Sequence, residues 1–365
     1  MSNKLGDNVQ KIQAAVLRNS HAPIKIEIVD LEGPRDDEVL VRIVTSGICH
    51  TDISFVDDWD ERDDPVVLGH EGAGIVERVG KLIKDVKRGD HVVLSYQSCG
   101  KCRACKNESP ADCKIFYELN FGFERPDGSN AMHRNGVRGH FFGQSSFATY
   151  VLATERNIVK VLKKLDLKIL APLGCGLQTG AGTVMNSLKV KKGASIAVFG
   201  TGSVGLAAIM AARVVGAKPI IGIDIVPARL RLAKEMGATH VINSQRENVK
   251  SRINTITGTG IDFTVETSGD TKMHRLSMDL LNPCGTAAFL TGISGPASLA
   301  GGRKTISVIQ GDAVPQRFIP KLISLYRAGK FPFDRMLKFY KFSDINKAIA
   351  DSKRGKTIKP VLCMS

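Results

Sequence analysis

The chain has 365 residues, of which 43% are hydrophobic and 24% charged, and a formal net charge of +15. That length accommodates two domains with separate cores, and no apolar run is long enough to span a bilayer. The Lys and Arg excess is scattered, and one Trp and five Tyr offer little base stacking, so no nucleic-acid face is expected. Met1–Gly6 lacks the apolar core of a signal peptide. A cytoplasmic location is therefore expected, where thiols stay reduced and favour metals over disulfides.

In chain order, 14–17 and 38–44 read as strands separated by turn chemistry at Gly33-Pro34. The acidic run Asp57–Asp64 reads as a solvated loop. Glycine-rich strand-and-turn text continues through 69–76 and 89–94. The polar stretch between Cys113 and Phe141 reads as a long surface excursion, and 147–153 as a further strand. After Pro172 the pattern changes. Strands at 195–199, 220–224, 240–243 and 261–266 alternate with helices at 206–215 and 227–236. This alternation predicts an α/β segment with a doubly wound parallel sheet. From about Asp312 a helix at 315–327 and a closing strand at 360–364 complete the chain.

Two motifs carry chemistry. Cys99, Cys102, Cys105 and Cys113 place four thiols in one short lobe. Short Cys-x₂-Cys steps let a compact loop wrap one tetrahedral zinc in a closed, structural site. Gly200, Gly202 and Gly205 form Gly-x-Gly-x-x-Gly between a strand and a helix. Gly200 allows the tight turn, Gly202 lets backbone approach a pyrophosphate, and Gly205 lets helix and strand pack. Ser203 and Val204 open the helix, whose N–H groups and dipole suit phosphates. Asp224, ending the next strand, suits a ribose diol and repels a 2′-phosphate, which predicts NAD over NADP. Arg229 lies along the ribose edge or in solvent.

Cys49, His70 and Cys175 stand apart, each in a glycine-flanked or turn-like setting. With the segments 47–52, 69–74 and 174–175, the four-cysteine lobe and the Gly200 loop in this order, the chain resembles the zinc-dependent alcohol dehydrogenases of the medium-chain dehydrogenase/reductase superfamily. Segments 141–150, 311–316 and 355–362 are most similar to its aryl-alcohol (benzyl alcohol) branch. The resemblance implies a β-rich GroES-like catalytic domain (1–177 and 313–365) with both zinc sites and a Rossmann coenzyme domain (178–312).

It further implies two Zn²⁺ per chain, one structural and one catalytic. Cys49, His70 and Cys175 hold the catalytic ion, with the fourth position open to water or alcohol. Glu71 is a transient ligand or a carboxylate that stays behind the metal, and Asp52 orients His70. Thr51 takes the alcohol proton through a hydroxyl that both donates and accepts. Ser54 stands where many relatives carry the histidine that ends the relay. His50 either assists that relay or contacts the pyrophosphate, and Lys359 is a further coenzyme contact. Ser95, small where relatives are bulky, leaves room for a ring, and Trp59 lines the outer pocket. The implied activity is NAD-linked interconversion of primary aromatic or allylic alcohols and aldehydes by a homodimer or homotetramer. The alternatives are a glutathione-dependent formaldehyde dehydrogenase and a non-catalytic NAD-binding protein of the same fold.

Overall fold

The computed structural model describes residues 9–20, 22–60, 64–291 and 297–364. Met1–Gly6 and positions 61–63 of the acidic run lie outside the described residues. The chain divides into two compact units: 1–175, 314–320 and 336–365 form the first, 176–313 and 321–335 the second. The sequence-based expectation places all of 313–365 in the first. The boundary instead falls inside the helix Pro315–Arg327, a division that apolar patterning alone does not reveal. No helix among the described residues is long and apolar enough to cross a membrane.

The first unit is built on two sheets. Four strands run in the order Val66–Val67, Gln10–Leu17, Lys25–Leu31, Met132–His133, all antiparallel. The larger sheet runs Leu337–Lys341, Lys359–Cys363, Val39–Gly47, Gly72–Val79, His91–Leu94, Ile158–Val161, with Tyr150–Ala153 also paired on Val39–Gly47. Valines 39, 41, 76, 92 and 93 are fully buried, as β-branched side chains on a pleated inner face are. The pairing of Val39–Gly47 with Gly72–Val79 slips register between Ile43 and Thr45. A bulge of this kind bends the strand and re-aims the residues beyond it, here the turn that carries Cys49.

In the second unit one sheet runs His240–Asn243, Ile220–Asp224, Ile196–Phe199, Ile261–Glu266, Leu281–Phe289, Lys304–Ser307, Ala297–Ser298. All neighbours are parallel except the last pair. The strand order reverses direction at Ile196–Phe199, the position that binds ligands in doubly wound sheets. Ala197, Phe199, Ile221, Ile223, Ile242 and Ile253 form one apolar cluster. The helices Val249–Thr257 and Thr271–Asp279 and the last three strands are not marked in the sequence, because their apolar positions are few and interrupted by polar residues.

The stretch between Cys113 and Phe141 is not a surface excursion. It contains the helix Phe116–Phe121 and buries Asn120, Phe123, Arg125, Met132 and His140. Its polar residues are inside because they are paired. The Arg125 guanidinium, 4% exposed, bonds both Glu38 oxygens (2.7 and 3.0 Å) and Glu32 (2.7 Å). Removing one member of such a buried network strands the others. Arg125→Ala is expected to lower unfolding free energy by about 3–5 kcal/mol, whereas truncation of the exposed Arg317 of the Arg317–Glu108 pair changes little. Urea titration of both variants checks this.

His140 accepts a hydrogen bond from the Ala131 amide at Nε2 (3.2 Å). Burial, with the Arg125 charge nearby, holds its imidazole down at about 3. A histidine kept neutral this way stabilises the fold fully above its unfolded value, near 6.5, and loses that contribution as pH falls toward 3. The loss is on the order of 4–5 kcal/mol across that window. His140→Asn keeps a side chain suited to the left-handed φ of 68° and removes the titration. Urea unfolding at pH 7, 6, 5 and 4 is expected to show a shallower acid slope in the variant. Identical slopes would refute the assignment.

Candidate metal and coenzyme sites

Cys49 sits at the start of the helix His50–Asp58, just past the bulged strand. His70 and Glu71 immediately precede the strand Gly72–Val79, and Cys175 comes directly after the 3₁₀ turn Ala171–Gly174. The fold brings one ligand atom from each of these four residues within 4.8 Å of the others. Asp52, fully buried, joins three pieces of backbone and side chain. It accepts from the Cys49 amide (2.9 Å) and the Gly69 amide (3.1 Å), and lies 3.0 Å from His70 Nδ1.

The opposite ring nitrogen, His70 Nε2, is buried with no hydrogen-bond partner among the described residues. An unpartnered polar nitrogen in a dry site is costly unless something binds it. The Cys49 thiol is held well below its usual range by Cys175, against burial, with help from His70 and Lys359. Burial pulls His70 down, but Asp52 and the Cys49 thiolate outweigh it and push it up to about 10. An unpartnered imidazole nitrogen beside two cysteine sulfurs and a carboxylate is a donor set that fits zinc, which on binding displaces the proton from that nitrogen.

Cys99, Cys102, Cys105 and Cys113 form a second cluster with the same 4.8 Å spread. Backbone amides converge on its sulfurs: Cys102 and Lys101 donate to Cys99 Sγ, Cys99 to Cys113 Sγ and Lys114 to Cys102 Sγ, at 3.3–3.5 Å. Such donors favour thiolates, and the Cys105 amide, with that of Lys114, draws the Cys102 thiol down to about 6. Four cysteine sulfurs with no other group in the set fit a closed site.

In the second unit, Gly200 turns with φ 86°, and a Cβ on Gly205 would stand 1.9 Å from the Gly200 carbonyl oxygen. Gly202 has open space at that position, which leaves its backbone accessible. Ser203 and Val204 open the helix Ser203–Val215. Asp224 ends its strand 7% exposed. Its carboxylate accepts from the Thr201 amide (2.7 Å) and hydroxyl (2.9 Å) and from the Ile225 and Val226 amides. It therefore braces the glycine loop. Arg229 is half-buried, with Nε unpartnered among the described residues.

Thr51 Oγ1 lies 3.9 Å from Cys49 Sγ. His50 is exposed, and Ser54 donates its hydroxyl to the His50 carbonyl (3.1 Å). Trp59 is half-buried against Phe55 and Phe123, its Nε1 donating to the Asp64 carbonyl. Two expectations are corrected. Ser95 does not open onto a pocket: it is fully buried and donates to the Gly174 carbonyl (2.7 Å). Lys359 is 1% exposed, its ammonium 2.6–2.7 Å from both Glu71 oxygens and 3.0 Å from the Ile48 carbonyl. Its donors are spent beside the metal cluster, because a buried ammonium needs acceptors on every side.

Residues without a motif complete the centre. Phe142 stacks on the His70 ring (4.4 Å, 23°), and Phe141 meets it edge-on (5.5 Å). Phe55, Phe121 and Phe123 extend this aromatic group. The Phe-Phe pair is visible in sequence, but its apposition to His70 is a tertiary fact.

Comparison with known proteins agrees with this geometry. Residues 35–163 match the alcohol dehydrogenase GroES-like domain and 203–313 the zinc-binding dehydrogenase family. Geraniol dehydrogenase of Castellaniella defragrans is 42% identical, covering 96% of this chain and 97% of its own. S-(hydroxymethyl)glutathione dehydrogenase of Synechocystis is 34% identical over 96% of this chain and 99% of its own. The crystal structure of benzyl alcohol dehydrogenase from Acinetobacter calcoaceticus superposes with a TM-score of 0.93 at 42% identity, covering 98% of this chain and 100% of that one. With a GroES-like unit that gathers two cysteine-bearing ligand clusters and a second unit with a parallel sheet and glycine loop, the chain belongs to the zinc-dependent alcohol dehydrogenases of the medium-chain dehydrogenase/reductase superfamily.

Proposed function

We propose that this enzyme interconverts primary aromatic or allylic alcohols and their aldehydes with NAD, holding one zinc at Cys49, His70 and Cys175 and a second at the four-cysteine lobe. The observation that carries the reading is the orphaned His70 Nε2 within the Cys49–His70–Glu71–Cys175 cluster, walled by Phe142 and Phe141. When bound, zinc supplies Lewis-acid polarisation of the substrate oxygen and NAD the hydride acceptor.

The chain's own residues do the rest. Asp52 fixes the His70 ring through Nδ1 and, through the Cys49 amide, the start of the helix. Thr51 has a hydroxyl beside Cys49 that accepts a proton from an alcohol as it donates its own. Ser54 is tied to the helix backbone, so the proton leaves through His50 or water. The aromatic group keeps the centre dry, and its half-buried members Phe55 and Trp59 offer flat apolar surface to a planar substrate. Asp224 presents a carboxylate that opposes a 2′-phosphate. The geraniol and benzyl alcohol relatives, both 42% identical, support a conjugated primary alcohol.

A steady-state screen tests the substrate. Benzyl alcohol or an allylic terpene alcohol is expected to exceed ethanol in kcat/KM by roughly 100-fold, the order that burying several carbons against aromatic rings provides, with NAD preferred to NADP. Faster turnover of S-(hydroxymethyl)glutathione than of either alcohol would replace this reading with the formaldehyde-oxidising one.

The two clusters separate in a second experiment. Purified protein is expected to carry about two zincs per chain. Cys49→Ser should lower kcat by roughly 1000-fold with the melting temperature little changed. Cys102→Ser should chiefly cost stability, since closed zinc sites contribute folding energy directly. Equal losses of fold in both variants would contradict the division.

A further inference from the structure

The loop 140–146 is the most strained stretch next to the metal cluster. His140, Phe142 and Ser145 all have left-handed φ (68°, 54° and 54°), a conformation that side chains with a Cβ disfavour. Such strain persists only where surroundings enforce it. Here Ser145 Oγ donates to the Val67 carbonyl (2.6 Å) and accepts from the Phe141 amide (2.9 Å). Asn157 Nδ2 donates to the Phe142 and Gly143 carbonyls.

The strained loop delivers two groups to His70. Phe142 stacks on its ring. Gln144, 1% exposed, reaches its backbone: Nε2 donates to the His70 carbonyl and to the Ser95 carbonyl, both at 3.0 Å, while Oε1 accepts from the Gly72 amide (3.1 Å). Ser95 continues the line, its hydroxyl donating to the carbonyl of Gly174 (2.7 Å), the residue before Cys175. A buried chain of side-chain hydrogen bonds thus runs from His70 to the doorstep of Cys175. Asp52 ties Cys49 to His70. Gln144 and Ser95 supply the corresponding tie to the third ligand segment.

We propose that Gln144 and Ser95 are positioning residues of the metal centre, setting the spacing between the His70 and Cys175 segments and so the retention of the ion held there. Ser95 in this assignment is a brace, not a gap left for substrate. The inference rests on reading the Cys49–His70–Cys175 cluster as a zinc site, and its test does not depend on turnover.

The test uses the full zinc-loaded chain and the variants Ser95→Ala, Ser95→Thr and Gln144→Glu. Gln144→Glu is isosteric but sets a carboxylate oxygen against the two carbonyls. Zinc is titrated against a chromophoric chelator, and the visible absorption of the cobalt-substituted protein reports ligand geometry. The Cys49-site zinc is identified as the one missing from Cys49→Ser. In Ser95→Ala and Gln144→Glu its affinity is expected to fall roughly 10- to 100-fold, as loss of groups that orient ligands does, with a shifted cobalt band. The four-cysteine zinc should bind as in the wild type, and Ser95→Thr, which keeps the hydroxyl, should stay close to wild type. Wild-type affinity and an unshifted cobalt band in both Ser95→Ala and Gln144→Glu would overturn the proposal. Parallel weakening of both zincs would also overturn it, by showing a general loss of packing. A wild-type protein with no ion at the Cys49 cluster would instead overturn the zinc reading, and this inference with it.

Discussion

The carboxylate of Asp52 is the constraint on which the metal cluster depends. It is fully buried, and three groups converge on it from two segments: the Cys49 amide, the Gly69 amide and His70 Nδ1. A buried carboxylate accepts and does not donate, so the proton of the imidazole belongs on Nδ1. That leaves Nε2 as the unpartnered nitrogen of the ring among the described residues. The same carboxylate caps the helix His50–Asp58 and so sets where Cys49 and Thr51 stand. The orientation of His70 and the positions of Cys49 and Thr51 all stem from one desolvated charge that three donors hold in place.

The second unit repeats this logic with another aspartate. Asp224 takes four short hydrogen bonds, two of them from Thr201 within the glycine loop. The carboxylate that a ribose diol would meet is thus also the brace that fixes the loop for a pyrophosphate. In the proposed NAD-linked function one residue would serve both the ribose and the pyrophosphate, and its replacement would loosen both. The helix Ser203–Val215 packs hard on its sheet, with Gly205 to Ala212 buried, so the turn it starts from has little freedom to drift.

Much of this architecture is legible in the sequence, and the parts that are not share a cause. The strands Ile220–Asp224 and Ile261–Glu266 and the helix Pro227–Met236 match expectation residue for residue, because turn residues and apolar runs mark their ends locally. The metal clusters are legible because thiols and imidazoles are scarce and chemically distinctive. Buried polar pairing is not. Arg125, Asn120, Gln144 and Lys359 are of types that mostly lie at protein surfaces, yet all four are inside, since each finds its partner far away in sequence: Glu38 for Arg125, Gln97 for Asn120, His70 for Gln144 and Glu71 for Lys359. A pattern of one- to four-residue spacing carries no trace of such contacts. The Cys113–Phe141 stretch misleads for the same reason, and so does Ser95, whose small size reads as space when its hydroxyl is in fact a strut.

The Glu71–Lys359 pair shows how the centre accommodates charge. Burial pushes the Glu71 carboxyl up to about 7, while the ammonium against it pulls the other way. Two ions taken fully out of water are mutually compensating only when geometry is tight, and here the ammonium touches both carboxylate oxygens and a backbone carbonyl. Moving this carboxylate away would leave the buried lysine without its partner, which favours the reading in which Glu71 stays paired with Lys359. The positive charge of Lys359 also lowers the cost of keeping the Cys49 thiolate in an apolar setting. The lysine thus acts as a fixed counter-charge for the cluster. A neutral side chain of similar length at 359 would leave His70 as the nearby positive group acting on both Glu71 and Cys49, so the charge of this residue matters as well as its shape.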